Sequence, residues 1–447
     1  MKSVTDYGRF QLSSLGCTEE NYNDIKQFAD IPISELCSKE NANLLVFPDE
    51  IDYYGEEIGV KSICHLTETT IETGDVMGFV GCNATSLTIR SRFAKEGAND
   101  NFLHYMLKEV FAVNILDLKH SVSKDNALEL FMYLFPYHLK QALCQGLFKQ
   151  YQTRICNNAD VRGVIDIPRH IRKNIPFGGK IAYKTREFAY DNEVTQLIRH
   201  TIEFIKKQPI GKSILKGKDI EDCIATIVDA TPSYSPSELL NIINKNLKPI
   251  QHPYYTKYRR LQQLCLQILR RKGLKYGEGK NKIFGLLFSG SWLWEEYLGH
   301  LLQKSYKHYY KSKGKKFNLF ESPYYQQIIP DYILWEFDGK RPVAVADAKY
   351  IRLDKGSNYG EEKATAIYYK TIAYMYHLGV SIGFLFYPSS TMKLADKMKL
   401  SNTSSYIIKL PLLIPDGDMP FADFCNLIKI SEIEFANSAI INNGCHR

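Results

Sequence analysis

The sequence lacks paired cysteines and long apolar runs. Its ten cysteines are scattered singly along 447 residues with no Cys-x-x-Cys pair, so neither a zinc site nor a disulfide framework is predicted. No run of 18 apolar residues occurs, which argues against a transmembrane helix. The opening residues MKSVTDYGRFQLSS contain no apolar segment of the signal-peptide kind. Together these absences predict a soluble cytoplasmic protein with reduced thiols.

Three motifs that would indicate other chemistries are absent or incomplete. Gly211-Lys212-Ser213 matches the end of a phosphate-binding loop, but Lys206 stands where that loop needs its first glycine. A helical pattern also precedes it, where a strand is required. No G-x-S-x-G nucleophile elbow occurs, and the histidines lack metal-ligand spacing. We therefore expect that this chain does not bind a nucleoside triphosphate by itself.

The overall composition is that of a globular protein. Hydrophobic residues make up 45% of the chain and charged residues 24%, and 447 residues suffice for two or three domains with their own cores. The net charge of +8 has the sign that binding to a polyanion requires.

The residue pattern changes along the chain. Residues 1–95 contain short apolar segments between polar turns, which favours strands, and from about residue 100 the apolar spacing becomes helical. Residues 160–174, rich in charge and interrupted by Gly and Pro, indicate a junction. Residues 190–275 read as mostly helical, and from residue 283 helices and strands alternate.

The segment PDYILWEFDGKRPVAVADAKY predicts a hairpin that carries acids. Residues 331–337 and 341–349 read as strands, in which successive side chains point to opposite faces. A three-residue Asp-Gly-Lys loop would place Asp331 opposite Asp347, roughly 5 Å apart at Cβ. A two-residue loop would instead pair Asp331 with Ala346, so the convergence of the two acids depends on loop length.

Two carboxylates this close repel each other unless a cation lies between them. Mg²⁺ prefers such hard oxygen ligands and completes its shell with water and substrate phosphate oxygens. Lys349, next to them, could orient or deprotonate a water molecule, or stabilise charge on a phosphate. Asp331, Asp347 and Lys349 therefore indicate metal-assisted hydrolysis of a phosphodiester. The alternative is an exposed hairpin with ordinary surface charges.

Two neighbouring segments could contribute to the same chemistry. The amphipathic helix SWLWEEYLGHLL carries Glu295 and Glu296, one of which could add a third carboxylate unless both are simply solvated. The following segment KSYKHYYKSKGKKF interleaves aromatic residues with lysines, a pattern suited to nucleic-acid backbones, although a charge run is often only a solvated face. Its six lysines are Lys304, Lys307, Lys311, Lys313, Lys315 and Lys316.

With these residues in place, the sequence resembles the McrC family, the nuclease subunits of McrBC modification-dependent restriction systems. The resemblance runs from about residue 76 to 388 and rests on the order and spacing of several segments. GFVGCNATSLTIRSRF is similar to an early strand segment of the family, and DVRGVIDIPRHIRKN to its Arg-Gly-x-Ile-Asp stretch. REFAYDNEVTQLIRHTI resembles the segment that follows. LWEEYLGHLL resembles the family's Phe-Glu helix, with Glu295 on the acidic position.

The resemblance implies an active site of the PD-(D/E)xK nuclease class. Asp331, Asp347 and Lys349 fall on the catalytic positions, together with Glu295. Mg²⁺ or Mn²⁺ is expected on Asp331, Asp347, the Ala348 carbonyl and Glu295. One departure concerns the next helix, where the family usually carries Gln-x-x-x-Tyr and this chain has Lys370 and Tyr374, which we expect to contact DNA.

The resemblance also implies an α+β fold with two domains. Residues 1–160 are expected to form a β-rich N-terminal domain, with some helix, that docks on a partner. Residues 161–447 are expected to form the nuclease domain, with a helical part (161–280) and an α/β PD-(D/E)xK restriction-endonuclease-like core (281–447).

The implied partners are a McrB-type AAA+ GTPase, through which alone GTP would act, and methylated double-stranded DNA; no membrane is implied. Two other functions remain open. The chain could be a stand-alone nuclease of the same fold, acting in repair or in a mobile element. It could also be a non-cleaving activator of an AAA+ NTPase, although an activator has no need for clustered like charges.

Overall fold

The computed structural model divides the chain into two compact units. Unit 1 combines Met1–Ala127 with Tyr276–Arg447, and unit 2 is Leu128–Lys275. Neither boundary coincides with the one predicted after residue 160. The residues described are 3–38, 43–48, 58–83, 85–95, 100–111, 124–273, 283–304, 306–308, 317–324, 326–335, 341–351, 361–391 and 394–439.

The first segment of unit 1 is rich in short strands, as its sequence predicts. Thr18 and Asn21 begin its first helix with a reciprocal capping box, in which each side chain accepts a hydrogen bond from the other's backbone N–H. The elements are β1 (Val4–Thr5), β2 (Arg9–Gln11), α1 (Glu19–Ile25), α2 (Ile33–Ser38), β3 (Asn43–Phe47), β4 (Cys64–Leu66), β5 (Thr70–Thr73), β6 (Val76–Cys82), β7 (Thr85–Arg90) and α3 (Asn101–Phe111).

Unit 2 is largely helical, with one small antiparallel sheet in the order β8-β10-β9. The helix α6 begins at a capping box formed by Asn192 and Thr195, and it packs its apolar face against α10. The elements are α4 (Lys124–Leu143), which starts just before the unit boundary, β8 (Gln150–Asn158), β9 (Val164–Ile165), α5 (Ile167–Lys173), β10 (Ile181–Ala189), α6 (Glu193–Lys206), α7 (Gly211–Ile214), α8 (Lys218–Ala230), a 3-10 turn (Pro236–Glu238), α9 (Leu239–Lys245) and α10 (Thr256–Gly273).

Residues 150–190 of unit 2, which we call the apolar arm, expose many large hydrophobic side chains. The arm contains β8, β9, α5 and β10, and no residue of α5 is buried. Contiguous apolar exposure of this kind marks interaction surfaces in soluble proteins. The exposed side chains include Tyr151, Ile155, Val164, Ile167, Ile175 and Phe177.

The Arg-Gly-x-Ile-Asp stretch has a structural role within this arm. A Cβ on Gly163 would lie 2.1 Å from the Lys184 carbonyl oxygen, so only glycine allows β10 to approach this closely. Asp166 caps α5 by accepting a hydrogen bond from the Arg169 N–H, and it forms a 3.1 Å ion pair with Lys184. The stretch therefore shapes the arm.

The second segment of unit 1 contains a six-stranded mixed sheet in the order β12-β15-β16-β17-β19-β18. The pairs β16–β17 and β17–β19 are parallel, and the others are antiparallel. The elements are β11 (Ile283–Ser289), α11 (Gly290–Leu302), β12 (Tyr306–His308), β13 (Phe317–Asn318), β14 (Gln327–Ile328), β15 (Tyr332–Trp335), β16 (Pro342–Ala348), α12 (Glu361–Leu378), β17 (Ile382–Ser389), β18 (Asp396–Lys399), β19 (Tyr406–Leu413) and α13 (Phe421–Ala439).

The strand β11 belongs to the sheet of the first segment, in the order β1-β7-β6-β11-β3. It runs antiparallel to β6, with Leu286 opposite Phe79, and parallel to β3, with Leu287 opposite Val46. The backbones approach so closely that a Cβ on Gly78 would lie 2.1 Å from the Leu286 carbonyl oxygen. A boundary after residue 160 would thus separate β11 from both of its partners.

The six-stranded sheet is covered on both faces, and one of these faces carries the predicted acids. Ile333, Val345 and Leu385 pack with Tyr374 and Met375 of α12 in one apolar cluster. Because side chains alternate along a strand, Asp331 and Asp347 belong to this same face.

On the opposite face, Tyr332 and Phe386 are in ring contact, and Phe386 also contacts Phe435 of α13. The predicted α+β class is confirmed. No described helix is both long enough and apolar enough to cross a membrane.

Candidate active site

The strand register brings Asp331 and Asp347 together, but only after an irregularity in the pairing. Next to the loop, Trp335 lies opposite Pro342, which is the register that a two-residue loop predicts. Tyr332 lies opposite Ala346 and Ile333 opposite Val345, and one further step places Asp331 opposite Asp347. The strands β15 and β16 are shorter than predicted, and the pairing shifts between Leu334 and Trp335. The loop at 338–340 lies outside the described residues.

Asp331 is held by the neighbouring strand. Its Oδ2 accepts a hydrogen bond of 2.7 Å from the Ala348 N–H. Burial, followed by the negative charges of Asp347 and Glu295, raises the pKa of Asp331 well above its ordinary value. Asp331 therefore holds a proton more readily than Asp347 does.

Asp347 is fully buried between two lysines. The Lys349 Nζ lies 2.5 Å from its Oδ2, and the Lys370 Nζ lies 3.7 Å from its Oδ1. Burial acts to raise the pKa of Asp347, but the charges of Lys349 and Lys370 outweigh it and lower the pKa to about 2. Asp347 is thus the permanent anion of the pair.

Glu295 lies near the pair without completing a ligand cluster. Its backbone carbonyl accepts a hydrogen bond from the Tyr332 hydroxyl, which ties α11 to β15. Its charge helps to raise the pKa of Asp331, whereas the next residue, Glu296, is buried. Within the described part of the chain, no three His, Cys, Asp or Glu side chains converge as a metal site.

The two aspartates fit a divalent cation of the Mg²⁺ kind. Asp347 is fully buried, and the carboxyl group of Asp331 lies close enough for the two charges to interact, so two carboxyl groups share one enclosed position. Mg²⁺ commonly takes one or two carboxylates, with water and phosphate oxygens as its other ligands. Asp331 and Asp347 supply that number. The predicted Ala348 carbonyl ligand stays a prediction.

The predicted DNA-contacting residues differ in accessibility. Lys304 and Lys307 are exposed, while Lys311, Lys313, Lys315 and Lys316 lie outside the described residues. The prediction that Tyr374 contacts DNA is corrected, because its side chain is buried and its hydroxyl donates to the Ile329 carbonyl at 2.8 Å. The Lys370 ammonium lies over the Tyr374 ring, 5.6 Å from the centroid.

The sequence does not reveal which residues fix the main chain that follows Lys349. The next residue, Tyr350, is buried, and its hydroxyl lies 3.1 Å from the Ser91 Oγ. The Arg92 guanidinium lies 4.7 Å from the Tyr350 ring centroid and is itself held by Asp6 at 2.6 Å. Residues of the first segment therefore fix the main chain beside Lys349. The only local signal is an aromatic residue directly after the lysine.

The chain matches a family model described as "McrBC 5-methylcytosine restriction system component" over residues 71–388. No curated protein matches it in sequence. A chain in the solved half-complex from the tetradecameric assembly of Thermococcus gammatolerans McrB AAA+ hexamers with bound McrC is 15% identical, with a TM-score of 0.51. That comparison covers 98% of this chain and 100% of that chain.

A second solved structure, the T. gammatolerans McrBC complex, contains a chain that is also 15% identical, with a TM-score of 0.32. It covers 71% of this chain and 89% of that chain. The resemblance inferred from the sequence is thus confirmed by the family model, which matches most of the chain. The chain belongs to the McrBC family of restriction-system components.

Proposed function

We propose that this chain is the DNA-cleaving subunit of a McrBC-type restriction complex, hydrolysing phosphodiester bonds with Mg²⁺ or Mn²⁺ at a PD-(D/E)xK site. The observation that carries this proposal is the fully buried Asp347, flanked by Lys349 and Lys370 and placed opposite Asp331. Both lysines contact the same carboxylate, that of Asp347, at its two oxygens. Two carboxylates with two lysines at one strand end suit a phosphate and a divalent cation.

Each residue has a distinct part in the proposed reaction. Asp331 and Asp347 would hold the cation, which supplies Lewis acidity toward the scissile phosphate and activates water for attack. The Ala348 N–H fixes the orientation of Asp331. Burial disfavours the Lys349 ammonium, but Asp347 and Asp331 outweigh burial and raise the pKa of Lys349. We assign Lys349 the part of a positive charge beside the phosphate.

A McrB-type AAA+ GTPase is the partner we propose, since the fold is similar to a chain from an assembly of McrB hexamers with McrC. We place the docking surface on the apolar arm, where large hydrophobic side chains face solvent. Only β8 of the arm falls within the predicted docking segment 1–160. GTP would then act through the partner, because this chain lacks a phosphate-binding loop.

The proposed function predicts that cleavage of DNA by this chain requires its cognate GTPase, GTP and Mg²⁺. We expect the full chain, mixed with its cognate GTPase, GTP and Mg²⁺, to cut a duplex containing 5-methylcytosine, and we expect EDTA to stop cleavage. The measurement is gel analysis of labelled methylated and unmethylated duplexes. Cleavage by this chain alone would favour the stand-alone nuclease. GTPase stimulation with no cleavage of any duplex would favour the non-cleaving activator.

The docking proposal predicts that charge on the apolar arm weakens GTPase stimulation. Ile155→Asp and Val164→Asp place a carboxylate where exposed apolar side chains stand, 66% and 79% exposed respectively. Burying that charge at an interface costs free energy of binding. The concentration of the variant needed for half-maximal stimulation of the GTPase should therefore rise by roughly tenfold or more. The assay is GTP hydrolysis by the cognate motor, titrated with each variant.

A matched control for these variants is Leu240→Asp, at a 72% exposed position on α9 outside the arm. It should stimulate like the wild type. If it weakens stimulation as much as the arm variants do, or if the arm variants stimulate normally, docking lies elsewhere.

A further inference from the structure

The helix α12 contributes a second lysine to the carboxylate that Lys349 already neutralises. Lys370 replaces the glutamine that the resemblance leads one to expect, and its Nζ lies 3.7 Å from the Asp347 Oδ1. Lys349 contacts the other oxygen, Oδ2. Each oxygen of a metal-binding carboxylate therefore already faces a cation.

The two lysines differ in how firmly they are held. The Lys349 side chain is 18% exposed, and its backbone N–H donates to the Phe386 carbonyl at 2.7 Å. The Lys370 side chain is 49% exposed, and its contact with Asp347 is longer by more than 1 Å. An ammonium on a flexible four-carbon stem can leave such a contact by rotating toward solvent. Of the two cations, Lys370 is the displaceable one.

We propose that Lys370 is a displaceable counter-ion, which occupies Asp347 until a divalent cation enters and then pairs with a phosphate oxygen of the DNA. A lysine and a metal ion compete for Asp347 because like charges at short distance repel. A DNA phosphate removes that competition by giving the ammonium another anion. Metal binding and DNA binding thus favour each other at this site. This inference rests on the proposed function, because it assumes that Asp331 and Asp347 hold the metal.

The test is a calorimetric titration of the full chain with Mn²⁺ in the absence of DNA. Lys370→Gln removes the competing charge and should bind Mn²⁺ at least roughly tenfold more tightly than the wild type. Lys370→Arg keeps the charge and should bind like the wild type. Lys409→Gln is the matched control, because Lys409 also lies 3.7 Å from a carboxylate oxygen, that of Asp396, but on β19, two strands along the sheet from Asp347.

A second titration adds a phosphorothioate-linked duplex containing 5-methylcytosine. The duplex should tighten Mn²⁺ binding by the wild type more than by Lys370→Gln, so that the two affinities converge. Equal Mn²⁺ affinity of wild type and Lys370→Gln without DNA would overturn the proposal, as would equal tightening of both by DNA. If Asp347→Asn takes up Mn²⁺ like the wild type, the metal does not bind at this site, and the proposed function itself fails.

Discussion

Replacing Asp347 by asparagine should lower DNA cleavage by at least roughly 10³-fold, because the substitution removes the permanent anion that would hold the metal. Asparagine keeps the shape of the side chain. It removes the charge that two lysines neutralise, at 2.5 and 3.7 Å. The measurements are the single-turnover cleavage rate of a methylated duplex with partner and GTP, and the Mn²⁺ affinity of the variant. Both should fall, while GTPase stimulation should stay near the wild-type value.

The control for this variant is Asp396→Asn, at the edge of the same sheet. Asp396 also lies 3.7 Å from a lysine, Lys409, but its side chain is 62% exposed. An exposed ion pair of this kind contributes little, so cleavage should be unchanged. Wild-type cleavage by Asp347→Asn would refute the site assignment, as would cleavage in EDTA.

Removing the Lys349 ammonium should cost about two to three orders of magnitude in cleavage rate, the usual effect of losing a charge-stabilising group in a transition state. Lys349→Ala deletes the cation closest to Asp347. Lys370→Ala should reduce the rate less, because Lys370 is more exposed and farther from the carboxylate. The measurement is the single-turnover rate at saturating Mg²⁺, at which any change in metal affinity is compensated.

A loss of cleavage rate in Lys370→Ala as large as that in Lys349→Ala would be equally informative. If Lys370→Ala proves as damaging as Lys349→Ala, then α12 supplies a catalytic cation in its own right. Lys349→Arg serves as the geometric control, since it keeps the charge but changes the shape of the head group. Normal cleavage by Lys349→Ala would contradict the role assigned to that lysine.

The sequence could predict which face carries the central pair, because side chains alternate along a strand. Alternation puts Asp331 and Asp347 on one face, but their placement opposite each other also depends on the pairing shift between Leu334 and Trp335, which the sequence does not indicate. The approach of Lys370 to Asp347 depends instead on how α12 lies across the sheet, which no local pattern encodes. The burial of Tyr374 depends on the same packing. The stack of Arg92 on Tyr350 joins residues from distant parts of the sequence.

The arrangement of the sheets was less accessible to prediction than their existence. The apolar run of β11 is compatible with any buried position, since a fully buried strand shows no alternation to identify its neighbours. Its place between β6 and β3 depends on pairing between segments that lie far apart in the sequence. The boundary placed after residue 160 followed a change in composition. That change instead falls within the apolar arm, whose Gly163 and Asp166 serve its own packing.

The place of β11 in the first sheet also has a consequence for how the protein is made. A ribosome completes β3 and β6 long before it reaches residue 283, and all of unit 2 is synthesised in between. Until then β6, whose residues are all buried in the finished protein, can pair with β7 on one side but lacks β11 on the other. Unpaired apolar edges are where nascent chains aggregate. Unit 2, continuous in sequence, can fold first, whereas the first sheet of unit 1 can close only after β11 has been synthesised.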